Sequence, residues 1–227
     1  MHQKHPFHGQ MSDTFRAAVC VILSGGFQDA YTYWCRGGVF ANAQTGNIVL
    51  LSTALFRGEW NTVLKYFIPV FSFLFGIVAA EIIHIRLKSY EKLHWRQIVL
   101  IEEIILLFAV GFIPETLNAI ANALVSFVCA LQVQTFHKIH GQPYASTMCI
   151  GNMRSGMEAL CAYFRCRDRE VLQKALTYFA VILVFAAGAG IGSVVSNTLG
   201  SGAIWICCVL LSVSFCLMFI REKQEES

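Results

Sequence analysis

Charge is scarce in this chain. Asp, Glu, Lys and Arg make up 14% of 227 residues, against about a quarter in an ordinary globular domain. Proline is scarcer still, with four residues, so little interrupts long helices. The net charge is only +3 and no Lys/Arg-rich block occurs, which argues against a nucleic-acid partner. A phosphate-cradling GxxxxGK[ST] loop, an HExxH helix and a Ser/His/Asp pattern in recognisable context are all absent, so ATP hydrolysis and the common hydrolytic chemistries have no motif here. Nine cysteines contain no CxxC pair. Most lie inside apolar runs and read as small buried hydrophobes rather than metal ligands or disulfides. No small-residue cleavage site follows the first apolar run, which is expected to remain as a helix. His2, His5 and His8 read as a polar tail, and no cofactor or metal is expected.

What the chain has is apolar length. Hydrophobic residues are 56% of the sequence and mean hydropathy is +0.57. Its apolar runs approach the ~20 residues that cross a bilayer as a helix. The expectation is an all-α, polytopic integral membrane protein whose first partner is the lipid bilayer. Long segments fall at about 14–34, 62–85, 97–113, 117–136, 175–195 and 202–220, with shorter ones at 48–56 and 153–164.

The short segments share an opening. Ala41-Asn42-Ala43-Gln44-Thr45-Gly46-Asn47 precedes the first and Ser146-Thr147-Met148-Cys149-Ile150-Gly151-Asn152 precedes the second. A shift of 105 positions carries Gly46-Asn47 onto Gly151-Asn152 and Asp29 onto Gln134. The chain therefore reads as one membrane unit present twice, over 14–113 and 117–220, with this motif at the centre of each copy.

Two topologies compete. If both short segments cross the membrane there are eight spans and parallel halves. If both are re-entrant half-helices there are six spans and inverted halves. In the six-span arrangement one side collects Lys4, Arg16, Arg86, Lys88, Lys92, Arg96, Lys138, Arg165, Arg167, Arg169, Lys174, Arg221 and Lys223, and the other only Arg36, Arg57 and Lys65. Basic residues stay on the cytoplasmic side, so six transmembrane helices, two short motif helices and cytoplasmic termini are expected. Inverted repeats of this kind bring broken helices together near the midplane, where a solute binds.

The candidate substrate-binding residues follow from that arrangement. Thr45, Gly46 and Asn47, with Thr147, Gly151 and Asn152, would sit at helix N-termini, where free N–H groups and the helix dipole favour anions or carbonyl oxygens. Asp29 and Gln28, with Gln132 and Gln134 opposite, are polar groups inside spans, and an intramembrane ionisable group is functional by default. Asn42 in the first motif and Arg154 in the second complete the set, although Arg154 and Glu158 are spaced to pair along one helix face. Glu81, Glu102, Glu103 and Arg16 read as ion pairs at the inner rim. His137 and His140 have helical ligand spacing without a carboxylate or cysteine close in sequence. Gly188 and Gly192 have the spacing that lets helix backbones approach closely.

The run Gly25-Gly26-Phe27-Gln28-Asp29-Ala30-Tyr31-Thr32-Tyr33, then Gly37-Gly38-Val39-Phe40 leading into the first motif, resembles the YoaK-like family of bacterial membrane proteins. The second motif, extended through Met153-Arg154-Ser155, is similar to its second signature. The resemblance covers nearly the whole chain. It implies a multi-pass protein of the bacterial cytoplasmic membrane and supplies no substrate, the family being one of unknown function. From the residues, the first expectation is a small secondary transporter or channel for a small polar or anionic solute, not an enzyme, able to form a homo-oligomer. The alternatives are a membrane enzyme acting on a lipid or isoprenoid head group through Glu81, His84, Glu102 and Glu103, and a structural partner subunit.

Overall fold

The computed structural model describes residues 15–87, 95–139, 142–144 and 146–225. It is helical almost throughout: α1 (Phe15–Cys35), α2 (Gln44–Phe56), α3 (Trp60–Leu87), α4 (Trp95–Val110), α5 (Asn118–Thr135), α6 (Cys149–Cys166), α7 (Arg169–Leu199) and α8 (Trp205–Glu225). Short 3-10 turns at Glu115–Leu117 and Gly200–Ile204 lead into α5 and α8. The one departure from an all-α description among these residues is a two-residue ladder, β1 (Lys138–Ile139) against β2 (Gln142–Pro143).

Among the described residues, three helical stretches, Trp60–Leu87, Glu115–Thr135 and Arg169–Met218, are long and apolar enough to cross a membrane by length and composition. The last is α7 and α8 joined across Gly200, whose φ of 56° is open to glycine and turns the chain. The expected spans at 14–34 and 97–113 are α1, of 21 residues, and α4, of 16 residues and shorter than a full crossing. Leu183, Ile85, Ile150 and Phe56 are among many large apolar side chains on the outside, more than a water-facing surface carries.

The packing has a regular plan: α1 lies on α7 and α8, α5 on α3 and α4, α2 on α3, α6 on α7, α1 on α5, and α4 on α8. Exchanging α1 with α5, α2 with α6, α3 with α7 and α4 with α8 turns each of these pairings into another of the same set. Contacts give the directions. Leu23 faces Gly188, Phe27 faces Gly192 and Cys35 faces Ser196 and Gly200, so α1 and α7 run parallel. Gly76 meets Phe127 and Ala130, and Glu81 meets Gln134, so α3 and α5 also run parallel. In contrast, Arg36 meets Asn118 and Asn122 while Gln28 meets Cys129 and Gln132, so α1 and α5 are antiparallel. Ile104 meets Cys208 and Phe108 meets Trp205, so α4 and α8 are antiparallel too.

The α1–α7 seam is built from absent side chains. A Cβ on Gly26 would overlap the Phe185 carbonyl oxygen, one on Gly188 the Leu23 carbonyl, and one on Gly192 would lie 2.9 Å from Phe27 Cα. The spacing at Gly188 and Gly192 thus serves packing inside the chain, which removes the feature that a structural-subunit reading would use. Gly190, between them, has nothing within 4 Å. Gly188→Leu is therefore expected to cost at least ~1–3 kcal/mol by overpacking, and Gly190→Leu close to nothing. Thermal unfolding of the two variants in detergent checks this; equal midpoints would refute the seam.

Four further expectations are resolved here. Arg96, expected among the basic residues of the cytoplasmic side, is the second residue of α4 and is buried. Glu81 lies 4.0 Å from His84 and accepts a hydrogen bond from Gln134. Glu103 is buried on the inner face of α4, and neither oxygen has a hydrogen-bond partner among the described residues, so it is no rim ion pair. The reason is rotation: Glu102 is 100° round the helix and half-exposed. His2, His5, His8, Lys88, Lys92 and His140 lie outside the described residues, as do the side chains of Arg16, Lys138, Arg221 and Lys223.

Candidate functional site

The site begins where the chain leaves α1. Gly37 and Gly38 have φ of 85° and 76°, values that favour glycine, and they reverse the chain so that residues 39–43 run back along α1. Asn42 then donates its backbone N–H to Asp29 Oδ1 at 2.7 Å and its side-chain amide to the Gly25 carbonyl at 3.1 Å. The backbone of Ala41 and Ala43 also acts on the same carboxylate. A segment outside any helix or sheet has thereby used Asp29, in the middle of α1, to satisfy backbone N–H groups, and is tied to Gly25 through a side chain.

From that level α2 sets out towards the C-terminal end of α1. It packs on α3, ends at Arg57-Gly58, and α3 then starts beside the returning loop, with Tyr66 Oη donating to the Gly38 carbonyl at 3.4 Å. The second motif reaches the same place from the other direction. A Cβ on Gly25 would lie 2.6 Å from Thr147 Cγ2 and 3.3 Å from Gln132 Nε2. From Thr147, α6 leads away towards the N-terminal end of α1, with Gly156 against Tyr178 and Phe179 of α7. Both short helices therefore start at the level of Gly25–Asp29 and leave in opposite directions.

Around this point is a buried polar chain. Gln28 donates to Ser24 Oγ at 2.9 Å and to Gln132 Oε1 at 3.4 Å, and accepts from the Cys129 thiol at 2.9 Å. Gln132 donates to the Val21 carbonyl at 2.6 Å. Asp29 is 8% exposed, and Asn42 Oδ1 is buried without a hydrogen-bond donor among the described residues. Each helix here breaks its apolar face with an amide, and the amides meet because α1 and α5 cross at these residues. The arrangement offers one carboxylate and one open amide oxygen, with the Thr147 side chain beside Gly25.

The residues expected at the site divide. Asp29, Asn42 and Thr147 are brought together. Asn47 is buried near them, but its amide is consumed by the loop: Nδ2 donates to the Phe40 carbonyl at 2.7 Å and to Gln44 Oε1 at 3.1 Å, and Oδ1 accepts from Phe40 N–H at 3.2 Å. Asn47 thus clamps the loop that aims Asn42. Asn152 is buried at the matching place in α6. Thr45 is exposed on the outer side of α2. Gly46 and Gly151 carry no close approach: a Cβ on Gly46 meets only the Phe40 ring at 3.5 Å and one on Gly151 meets nothing within 4 Å.

Two residues stand away from it. Gln134 faces Glu81 of α3 at 2.9 Å, because two positions along a helix turn the side chain by about 200°. Gln132 takes the place opposite Gln28. Arg154 pairs with Glu158 at 2.8 Å on the outside of α6, with 80% of its side chain exposed. No group of three or more His, Cys, Asp or Glu that could hold a metal occurs among the described residues.

Arg36 is the functional-looking residue that sequence reasoning treated as an outer-side charge. It is fully buried, donates to Tyr31 Oη at 2.8 Å, to the Ile113 carbonyl at 2.8 Å, to Asn118 Oδ1 at 3.2 Å and to the Val110 carbonyl at 3.1 Å. Tyr31 Oη in turn donates to the Ser201 carbonyl at 3.0 Å. The guanidinium thus holds the ends of α1, α4 and the start of α5 together. Its one signal in the sequence is position, an arginine directly after an apolar run and before two glycines.

Comparison with known proteins gives a family and one curated relative. Residues 17–217 match the family described as protein of unknown function (DUF1275). The chain is 24% identical over 211 residues to the UPF0700 transmembrane protein YoaK of Bacillus subtilis (strain 168), covering 88% of this chain and 90% of that protein. No solved structure matches it.

Proposed function

Since the chain belongs to the DUF1275 family of proteins of unknown function, we propose that it is a small secondary transporter or channel of a bacterial cytoplasmic membrane, not an enzyme. We read it as two inverted repeats, 14–113 and 117–220, with α2 and α6 as re-entrant half-helices and both termini on the cytoplasmic side. The observation that carries this reading is the convergence of the two motif loops on Gly25–Asp29 from opposite ends of α1. The antiparallel crossing of α1 with α5 and of α4 with α8 supports the inversion, since each pair joins corresponding helices of the two halves. Irregular backbone at membrane depth is tolerated where protein buries it or water lines it, and inverted repeats with discontinuous helices carry solute sites in such places. The name of YoaK as a transmembrane protein agrees with this reading.

The chemistry of the centre narrows the solute. The first motif's backbone amides already face a carboxylate of the chain, Asp29, so an anion there would meet a negative charge instead of a free helix terminus. A small neutral polar or cationic solute, bound by Asp29, Asn42 Oδ1 and Thr147, fits the charge better than an anionic one. The enzyme alternative has less support. Glu81 and His84 sit together on α3, whereas Glu103 is enclosed between helices, so no acid cluster forms at one interface.

Single cysteines in a background freed of the reactive native ones test the topology. Positions 44 and 58 are expected to label from outside the cell, and positions 149 and 168 from inside, with 44 and 149 reached only by small water-soluble reagents. Labelling of 44 and 58 from opposite sides would make α2 a full crossing and end the half-helix reading.

A further inference from the structure

Glu103 lies on the inner face of α4 between Leu100 and Leu107, and all three are fully buried. Both carboxyl oxygens lack a hydrogen-bond partner among the described residues. Two of the helices packed on α4 offer no cation: Asn118–Thr135 of α5 contains no charged residue, and neither does 205–218 of α8. The titratable groups placed near it from α5 and α8 are thiols: Cys129, within electrostatic reach, and Cys208, on the neighbouring Ile104 carbonyl. On its own helix the charged neighbours are Glu102, another acid, and Arg96, buried two turns away on the same face. The approach of α3 brings His84 onto Trp95, at 4.4 Å between rings, two turns from Glu103.

A bare carboxylate in such a place costs several kcal/mol even after the surroundings relax. Its charge must be cancelled in this arrangement. A metal ion requires several oxygen ligands, and no group of three or more His, Cys, Asp or Glu that could hold one occurs among the described residues. A proton requires only the carboxylate itself.

The position also connects to the central site. Cys129 is within electrostatic reach of both Glu103 and Asp29, and its thiol donates to Gln28, the residue next to Asp29. Two carboxyl groups, one at the motif loops and one in the α4–α5–α8 interior, thus share one intermediary on α5.

We propose that Glu103 is a reversible proton-binding site, the carboxylate accepting a proton in the closed arrangement seen here and releasing it when α4 separates from α5 and α8. That its protonation drives movement of a solute at Asp29 rests on the transport reading above; the proton site itself does not. The absence of a hydrogen-bond partner among the described residues argues for this use, since glutamine or leucine would fill the position without the cost of a buried charge.

Infrared difference spectroscopy of the full chain in nanodiscs tests it, comparing about pH 5 with about pH 9, both above the ~4.3 of an unperturbed glutamate. A carboxylic C=O band that appears at low pH, vanishes in Glu103→Gln and survives in Glu102→Gln is the expected result. If Glu103→Gln does not fold, a shift of the same band in Glu103→Asp carries the assignment. A band lost in neither variant overturns the proposal, and so does a Glu103 band that stays constant across the pH range. A band that responds to sodium at constant pH overturns it in favour of a metal cation. A pH-dependent Glu103 band in a protein that moves no solute in liposomes would leave the proton site standing and refute transport.

Discussion

Arg36→Ala is expected to lower stability by at least ~3 kcal/mol, because a buried charged donor is removed and buried acceptors such as the Ile113 carbonyl and Asn118 Oδ1 lose it. For a chain of this size that corresponds to a fall in Tm on the order of 10 °C. Four acceptors on three segments depend on the one guanidinium: Tyr31 Oη, the carbonyls of Val110 and Ile113, and Asn118 Oδ1. The Arg36 carbonyl also accepts from Asn122 Nδ2 at 2.9 Å, which the alanine variant retains, so the loss isolates the side chain. Two of the acceptors are carbonyls at the C-terminal end of α4, where a cation meets the negative end of the helix dipole. Arg36→Lys is expected to restore only part of the loss, because an ammonium group is a point charge and cannot reach a planar fan of acceptors together. Thermal unfolding followed by size-exclusion chromatography measures all three proteins. An alanine variant that melts with the parent would show the cluster to be dispensable.

Asp29→Asn is expected to abolish solute movement while leaving the fold intact. The carboxylate is the one formal charge at the convergence of the two motif loops, and the neutral amide keeps its size and one acceptor oxygen for the Asn42 N–H. What is lost is the charge-assisted part of that bond, about 1–2 kcal/mol, and the charge that would bind a polar or cationic solute. Asp29→Ala goes further. It leaves the Asn42 N–H without an acceptor and frees the loop, so a cysteine at position 44 is expected to label faster. Swelling of proteoliposomes across a panel of small neutral and cationic solutes gives the activity, with labelling at position 44 as the report on the loop. Unchanged permeation in Asp29→Asn would remove Asp29 from the pathway, and faster labelling in Asp29→Asn than in Asp29→Ala would contradict its role as acceptor.

The central chain of Gln28, Cys129 and Gln132 extends the meaning of both results. These groups are satisfied by one another across the α1–α5 crossing, so they fix the depth at which the two halves meet. A fully paired buried network specifies one packing arrangement, whereas a partly paired one is a place where the molecule can change. Ser126 and Ser146 have buried hydroxyls without a partner among the described residues, and two stronger acceptors are likewise unpaired, Asn42 Oδ1 and Glu103. Both lie next to the paired chain, one at the motif loop and one on α4. That contrast separates a frame from the groups free to bind something.

The sequence alone determined the elements that rest on one-dimensional physics. Runs of apolar residues became helices within a few residues of their expected ends, as with 62–85 inside Trp60–Leu87 and 97–113 near Trp95–Val110, because bilayer-length apolar stretches satisfy their backbone most cheaply as helices. The doubled Gly-Asn motif marked both points where irregular backbone enters the protein, and the i,i+4 spacing of Arg154 and Glu158 foretold their ion pair. Only the tertiary structure decided which side of each helix turned inward. With side chains separated by 100° per residue, Gln132 faces the centre and Gln134 faces α3, Glu103 is enclosed and Glu102 is not, and Asn47 spends its amide on Phe40 while Asn42 keeps an oxygen open. A highly apolar chain has no amphipathic contrast to announce those choices: lipid and protein interior ask for the same residues. Rotation is then set by small-residue contacts such as Gly26 with Phe185 and Gly188 with Leu23, which exist only once the helices are packed.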